Sequence, residues 1–523
     1  MTNATSDAAL VVPGRTCWQT ARADRFATIV DGADYLAHVK AAMLRAKRRI
    51  MLIGWDLDYR TAFEPGHPTQ LGPNTLGPFL HWLLFREPGV HVYLLKSNLR
   101  LLPALDGFWF GVTPVALVNQ VTSRRIHFAV DGARPTGAVH HQKIVVVDDD
   151  VAFCGGIDLT VGRWDTRDHT PGDQRRTTSG EPYGPRHEVA TAVDGAAARV
   201  LAEQARQRWQ VATGKSLPAL APAGSMWPNR LAPALHDVEV GVARTMPALP
   251  GRPEVREVEA LNLAAIGAAR RVIYLENQYL AARSLAEALA ERLREPDGPE
   301  VVIVLPRSSE SRLEQESMDS ARERMLRLLW DADVHQRLGV YWPVVKGGES
   351  VYVHSKVLVV DDRLLRIGSS NLNNRSLGFD SECDVVIEAP TEGRDDIRDH
   401  IVSVRDDLVA EHLGVSPLRF SSEVRERGSF LGAVNALRGT GRSLRTFTEF
   451  MVAADASPFA ENDLMDPDTV PSSIADSVQN LAVRVITWPL ANGAPQLWSI
   501  VRDMTGGGDP GPEYSEDVAA DAG

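Results

Sequence analysis

Two similar α/β halves are what the sequence predicts, and three observations predict them. A helix-then-strand pattern near the N-terminus returns a little over 200 residues later. A constellation of five residues recurs at a constant offset of 213. The chain has 523 residues, 44% hydrophobic and 24% charged, ordinary values for a globular protein and enough length for two such units.

The elements follow in order. Tyr35, Leu36, Val39, Met43 and Leu44 recur near helical spacing and predict a helix over 33–48. An apolar strand over 50–53 comes next, ending in Gly54-Trp55-Asp56. The same grammar gives a helix over 261–271 and a strand over 272–275, ending in Glu276-Asn277-Gln278. A second pair of strands is 90–95 and 301–305. The halves are drawn as 20–213 and 235–420. Between them, 217–253 is rich in Pro, Ala and Gly and reads as a linker that also supplies a strand near 238–243. The polar segment 163–186 reads as a long loop, of the kind that is often functional. Residues 421–523 form a C-terminal extension. Within it, 430–437 and 481–488 read as amphipathic helices packed on the body, and 505–523, with five acids and no bases, is expected to be disordered. Phe108-Trp109-Phe110 reads as buried core, with a lipid-facing lip as the alternative.

Composition narrows the function. The net charge of −12 argues against a nucleic-acid partner and against strong adsorption to anionic lipid. Three distant cysteines, Cys17, Cys154 and Cys383, with no Cys-x-x-Cys, give neither a zinc ribbon nor a disulfide framework. Residues 1–14 show no secretory signal, and no apolar run of about eighteen residues exists. The expected location is cytoplasmic or peripheral to a membrane, with non-Sec export left open. Oligomeric state is not legible.

Only 7 lysines stand beside 49 arginines, so a lysine marks a place where a compact ammonium is preferred. With 14 histidines, chance predicts roughly 0.2 His-x-Lys pairs, yet three occur. His38-x-Lys40 lies in the predicted helix and reads as a surface coincidence. The other two agree much further. His141, Lys143, Asp148, Gly155 and Asp158 map onto His354, Lys356, Asp361, Gly368 and Asn371.

Residues 144–147 and 357–360 are β-branched runs, hence strands, and each His shares a face with its Lys. A turn over 148–151 would set His141 opposite Asp158 and, by the same rule, His354 opposite Asn371. Gly155, Gly156, Gly368 and Ser369 would leave each Lys uncrowded. Asp148 and Asp361 sit roughly 23 Å along the strand from their His and are assigned to turn structure or a salt bridge. The carboxylate that orients each imidazole must therefore come from elsewhere. Two imidazoles and two ammoniums suit a phosphodiester. One neutral ring can attack phosphorus while the other protonates the leaving oxygen, and the lysines stabilise the added charge. This scheme requires no metal and no cofactor.

The His-x-Lys-x4-Asp pair resembles the repeated signature of the phospholipase D superfamily, over about residues 20–420. GGIDLTVGRWDTRDH (155–169), IYLENQYL (273–280) and YVHSKVLVVDDRLLRIGSSNLNNRSLGFDSE (352–382) are similar to the plant and animal phosphatidylcholine-hydrolysing branch. The resemblance implies two α/β/α sandwich halves, each a mixed sheet flanked by helices, forming one pseudo-twofold catalytic unit. It also implies a ping-pong phosphoryl transfer from a phospholipid, through a phosphohistidine, to water or another alcohol. His141 is then the nucleophile and His354 the general acid, the near symmetry leaving the reverse open. Glu382 matches the family's orienting carboxylate well and Glu188 less closely. Arg163, His187 and His169 either line the pocket or sit in a solvated loop. Asp158 replaces the Asn commonest in the wider superfamily. About 30 residues precede the first αβ unit, so the N-terminal lipid-binding modules of plant and animal members are expected to be absent. A cardiolipin- or phosphatidylserine-synthase-like phosphatidyltransferase is the alternative, and a nuclease the lesser one.

Overall fold

The computed structural model describes residues 8–97, 123–448 and 466, apart from 136, 223 and 311–314. The expectations for 108–110, 481–488 and 505–523 lie outside the described residues.

One mixed sheet runs through both halves. Its order from one edge is Ser443–Thr446, Leu338–Val344, Glu300–Val304, Val272–Glu276, Val357–Val360, Leu364–Gly368, Glu382–Glu388 and Leu235–Met246. It continues through Gln19–Val30, Val189–Asp194, Val151–Gly155, Ile144–Val147, Arg49–Gly54, His91–Ser97 and Ile126–Asp131. Read outward from the middle, the first seven strands on each side correspond, and Ser443–Thr446 is an added edge strand on the second side. The two central strands, Gln19–Val30 and Leu235–Met246, pair antiparallel from Gln19↔Val242 to Phe26↔Leu235. Val272–Glu276, Glu300–Val304 and Leu338–Val344 run parallel, as do Arg49–Gly54, His91–Ser97 and Ile126–Asp131, as the alternation of helix and strand requires.

Among the described residues the first helix is not the first element. A 12-residue strand, Gln19–Val30, precedes it and joins the halves. Alternation of polar and apolar residues along it is weak because its C-terminal part is buried on both faces, so period-2 reading misses it. The first helix, Gly32–Met43, stops five residues before the expected end. The second half's sheet takes in Ser443–Thr446, past the boundary drawn at 420, because this strand pairs with Leu338–Val344. The helix Phe430–Leu437 packs by Phe430, Leu431, Ala433 and Val434 beneath it. The helices Gly195–Thr213 and Asp395–Leu413 cover one face of the sheet in a core shared by both halves. Gly32–Met43 and Leu76–Arg86 cover the other face of the first half. Glu257–Ala268, Arg283–Arg294 and Ser320–Ala332 do so in the second, the middle one through Leu285, Leu289 and Leu293 at i, i+4 spacing.

His38-x-Lys40 is not at the surface. Lys40 is fully buried, with Nζ 3.6 Å from Glu64 and over the Phe63 ring, because its helix turns this face onto the core.

Candidate active site

Each His-x-Lys leads into a hairpin, Ile144–Val147 to Val151–Gly155 and Val357–Val360 to Leu364–Gly368. The register differs by one residue from the expected one. Val147 pairs with Val151 and Val360 with Leu364, across three-residue turns. Asp148 and Asp149 take the left-handed conformation, φ 55° and 60°, and Asp361 does too, φ 54°. Short polar side chains tolerate that region, and the extra turn residue moves the pairing. Asp158 therefore does not face His141. Its carboxylate stands 3.2 Å from Lys143 Nζ and accepts from the backbone of Trp55 at 2.9 Å. Nor does Asn371 meet Lys356: that ammonium donates to Gln278 Oε1 at 3.3 Å. Asn371 is buried with no hydrogen-bond partner at Oδ1.

Asp148 and Asp361 act as clamps. The Asp148 carboxylate accepts from the backbone N–H of Lys47, Arg48 and Arg49, at 2.6–2.9 Å. Asp361 does the same for Arg270, Arg271 and Val272, at 2.8–2.9 Å. Each pins the start of the neighbouring strand, whose first amides have no ladder partner.

The orienting carboxylates cross between the halves. His141 Nδ1 lies 3.0 Å from Glu382 of the second half, and His354 Nδ1 lies 2.9 Å from Glu188 of the first. A carboxylate can only accept, so each Nδ1 carries the proton and each Nε2 is left with a lone pair. The backbone repeats the exchange: His141 N–H donates to Ser381 and His354 N–H to His187, both at 2.9 Å. Glu382 also accepts from Ser369 at 2.5 Å and Ser376 at 2.6 Å. Each lysine folds back on its own motif, Lys143 Nζ donating to His141 O at 2.8 Å and Lys356 Nζ to His354 O at 2.6 Å.

The four glycine and serine positions divide into two kinds. Gly155 and Gly368 are turned toward the next strand, not the lysines. A Cβ on Gly155 would lie 2.5 Å from the Ala190 backbone, and one on Gly368 2.5 Å from Asp384 Cα. Gly156 does stand in the site: a Cβ there would lie 3.1 Å from His354 O and 3.5 Å from Lys356 Cδ of the other half. Its counterpart Ser369 holds Glu382.

Burial pushes both imidazoles well below the ordinary histidine range, and Lys143 and Lys356 add to this in each case. Burial likewise pushes the Lys356 ammonium down, with Lys143 and Arg163 reinforcing it against Glu188. Burial pushes Glu382 and Glu188 up, while nearby cations pull the other way. Arg163 is partly buried beside Glu188, with Nη1 3.9 Å from its carboxylate. Arg186 lies over the Tyr352 ring, and Tyr352 stacks on His354. Beside Tyr352 a cavity of about 420 Å³ is lined by Pro306, Arg307, Ser308, Ser350 and Val351.

Neither His187 nor His169 sits in a solvated loop. Both are fully buried, and all their ring nitrogens are turned into carboxylates: Asp31, Glu276 and Glu411 for His187, Asp31, Asp165 and Glu411 for His169. Sequence reasoning missed Ser376, Gln278 and this carboxylate set. Ser376 and Gln278 lie inside the conspicuous 352–382 and 273–280 segments, but no spacing rule singles them out.

Two family descriptions match the sequence: Phospholipase D over residues 109–221, and Cardiolipin synthase, PLD-like domain, over residues 263–401. The chain belongs to the phospholipase D superfamily. Phospholipase D1 of Schizosaccharomyces pombe is 25% identical, the alignment taking in 77% of this chain and 37% of that one. Phospholipase D alpha 4 of Arabidopsis thaliana is 25% identical over 67% and 59%. Phospholipase D2 of Bos taurus is 25% identical over 72% and 51%. The chain thus spans less than two thirds of the length of these relatives. Among solved structures, the phosphatidylserine synthase of Haemophilus influenzae aligns with 75% of this chain and 88% of its own, at a TM-score of 0.49 and 13% identity.

Proposed function

We propose that this superfamily member is a phospholipase D-type phosphodiesterase. It cleaves the terminal phosphodiester of a glycerophospholipid, phosphatidylcholine-like, to phosphatidic acid and a free alcohol. The observation that carries the reading is the crossed pair of His–Glu contacts, which fixes one imidazole in each half with its Nε2 unprotonated and a lysine behind it. His141 Nε2 attacks phosphorus, the bond to the head-group oxygen breaks, and that oxygen takes a proton from His354. Water or an acceptor alcohol then gives its proton to His354 and attacks phosphorus as the P–N bond breaks. Lys143 and Lys356 meet the charge on the non-bridging oxygens.

Both rings are held neutral in the free protein, so the anionic substrate itself supplies the charge that lets His354 take up its proton. His141 is the proposed nucleophile because its side chain is the more open of the two, 14% exposed against 5%. Among the described residues no helix is long and apolar enough to cross a membrane, and peripheral contact with a lipid surface is part of the proposal.

Incubation with phosphatidylcholine vesicles and a primary alcohol tests the reading by product mass. Choline release with phosphatidic acid and a phosphatidyl-alcohol supports it. The second-half family description names cardiolipin synthase, so phosphatidylglycerol belongs in the same mixture. A cardiolipin-like product without choline release would favour the phosphatidyltransferase. Cleavage of DNA or RNA with the lipids intact would overturn both.

A further inference from the structure

Behind the His354–Glu188 pair lies a buried cluster that the reaction does not use. Asp31, at the end of the central strand Gln19–Val30, meets His169 and His187 of the first half and Glu411 on the helix Asp395–Leu413 of the second. All four are buried. One ring nitrogen of each histidine faces both carboxylates. His187 Nδ1 is 3.1 Å from Asp31 Oδ1 and 3.1 Å from Glu411 Oε1, and His169 Nε2 is 3.2 Å from Glu411 Oε1 and 3.6 Å from Asp31 Oδ2. The four ligand atoms lie within 4.8 Å of one another throughout.

Those separations are the edges of a metal polyhedron. Zinc bonds of about 2.0–2.1 Å at tetrahedral angles place neighbouring ligand atoms about 3.3–3.4 Å apart. The supporting shell has the form that metal histidines have. His169 Nδ1 is 2.9 Å from Asp165, and His187 Nε2 is 3.0 Å from Glu276, so each ring is fixed by a carboxylate on its far side. Asp165 is held in turn by Arg176 and the Arg186 N–H, and Glu276 by Tyr274, Ser355 and His412. Glu411 Oε2 accepts from Arg167 at 2.5 Å, which leaves Oε1 turned inward, where Arg442 also approaches to 3.5 Å.

One atom points to a missing occupant. Asp31 Oδ2 is buried and has no hydrogen-bond partner, although its carboxylate is aimed into the cluster. Such an atom costs free energy unless a cation meets it.

We propose that Asp31, His169, His187 and Glu411 bind one divalent transition-metal ion, zinc foremost, as a structural staple between the halves. Two nitrogen donors and close spacing favour zinc over calcium or magnesium, which take larger, all-oxygen shells. The staple acts on the reaction at one remove. Asp31 accepts from the Glu188 N–H at 3.0 Å, and His187 O accepts from His354 N–H, so fixing the cluster fixes the pair that orients His354. The site stands whatever the substrate proves to be.

The test uses the whole chain, purified without a histidine tag or chelator. Elemental mass spectrometry is expected to find about one zinc per chain. Removing it with dipicolinate should lower Tm, and added Zn²⁺ should restore it. Cobalt(II) put in its place should give the strong visible absorption of a four-coordinate nitrogen–oxygen site. His169→Asn should lose both the metal and the cobalt spectrum. If that variant fails to fold, the wild-type metal content and cobalt spectrum still decide. Wild-type protein with less than about a tenth of an equivalent of metal, and with Tm and spectrum unmoved by Zn²⁺ or Co²⁺, would mean that protons fill the cluster. Metal retained by folded His169→Asn would place it elsewhere. Either result overturns the proposal.

Discussion

Around His141 the charges are mixed, with Lys143 and Lys356 set against Asp158 and Asp380. Around His354 the leading charges are all cationic: Lys356, Arg163, Arg186 and Lys143. Lys143 has a carboxylate partner in Asp158, whereas the side chain that Lys356 meets is the amide of Gln278. Glu382 is held by two serine hydroxyls, while Glu188 has an arginine at 3.9 Å and one oxygen, Oε1, without a hydrogen bond. The duplicated backbone sets both rings in the same geometry, and the side chains around them then set different charge. Two copies of one motif can divide the labour of nucleophile and acid only because their surroundings differ.

The largest effect separates the two rings. His141→Ala and His354→Ala are each expected to lower kcat by about 10⁴-fold or more with the circular dichroism spectrum unchanged. Quenched-flow trapping with peptide mass spectrometry should find the phosphoryl group on His141. Exposure points to that ring, whereas the cations around His354 would make it the more persistently neutral base. A phosphate found on His354 would show that charge, not access, decides the roles.

Glu382→Gln and Glu188→Gln come next, each expected to cost about 10²- to 10⁴-fold in kcat by freeing the wrong tautomer. Because the contacts cross, each variant should impair the ring of the other half. In a His141→Ala background Glu382→Gln should add little, and Glu188→Gln should do likewise in His354→Ala. The opposite pairing in these double variants would break the crossed arrangement.

The pH profile follows from the depressed imidazoles. An ordinary histidine takes its proton near 6.5, and both rings lie well below that when folded. Below 6.5 the unfolded chain binds protons that the folded chain refuses, so their contribution to stability is full above 6.5 and is lost as pH falls toward the folded values. The acid limb of kcat/KM for choline release is accordingly expected below pH 6.5. A limb at or above it would mean that burial and the neighbouring cations do not depress these rings.

The seventh residue of each motif separates structure from chemistry. Asp148→Ala and Asp361→Ala each strip an acceptor from three backbone amides and are expected to cost about 2–4 kcal/mol in urea unfolding, with kcat per folded molecule kept. Asp148 is the more deeply buried, fully so against 7% exposed for Asp361, and should cost the more.

What the sequence made legible was what repeats. The offset of 213 located both His-Lys pairs and the paired halves, because a duplicated fold repeats its backbone residues together with its chemical ones. Asp148 and Asp361 could be set aside as structural by reach along a strand alone. The crossed contacts were not legible, since Glu382 and Glu188 reach their rings across the central pair Gln19–Val30 and Leu235–Met246. The strand Gln19–Val30, buried toward its end on both faces, hides from a period-2 reading. The cluster of Asp31, His169, His187 and Glu411 spans 380 positions of chain and obeys no spacing rule. The hairpin register missed by one residue because Asp-Asp admits either turn length.

The smallest expected effect falls where the motifs differ by a single atom's identity. Asp158→Asn gives the first half the residue that the second half has at Asn371. The amide oxygen can still accept from the Trp55 N–H, so the local backbone keeps its bond. What is lost is one negative charge, which pairs Lys143 and favours a protonated His141. Removing it leaves Asp380 alone against Lys143 and Lys356 around His141, closer to the cationic surroundings of His354, and should move the acid limb of kcat/KM to lower pH. A shift of one pH unit corresponds to about 1.4 kcal/mol, so kcat near neutral pH should change by no more than about tenfold. If the two halves are specialised by charge, the change appears in the pH profile rather than in the rate at neutrality. A profile that does not move, with the rate down a thousandfold, would instead make Asp158 part of the chemistry itself and the halves unequal in mechanism as well as in charge.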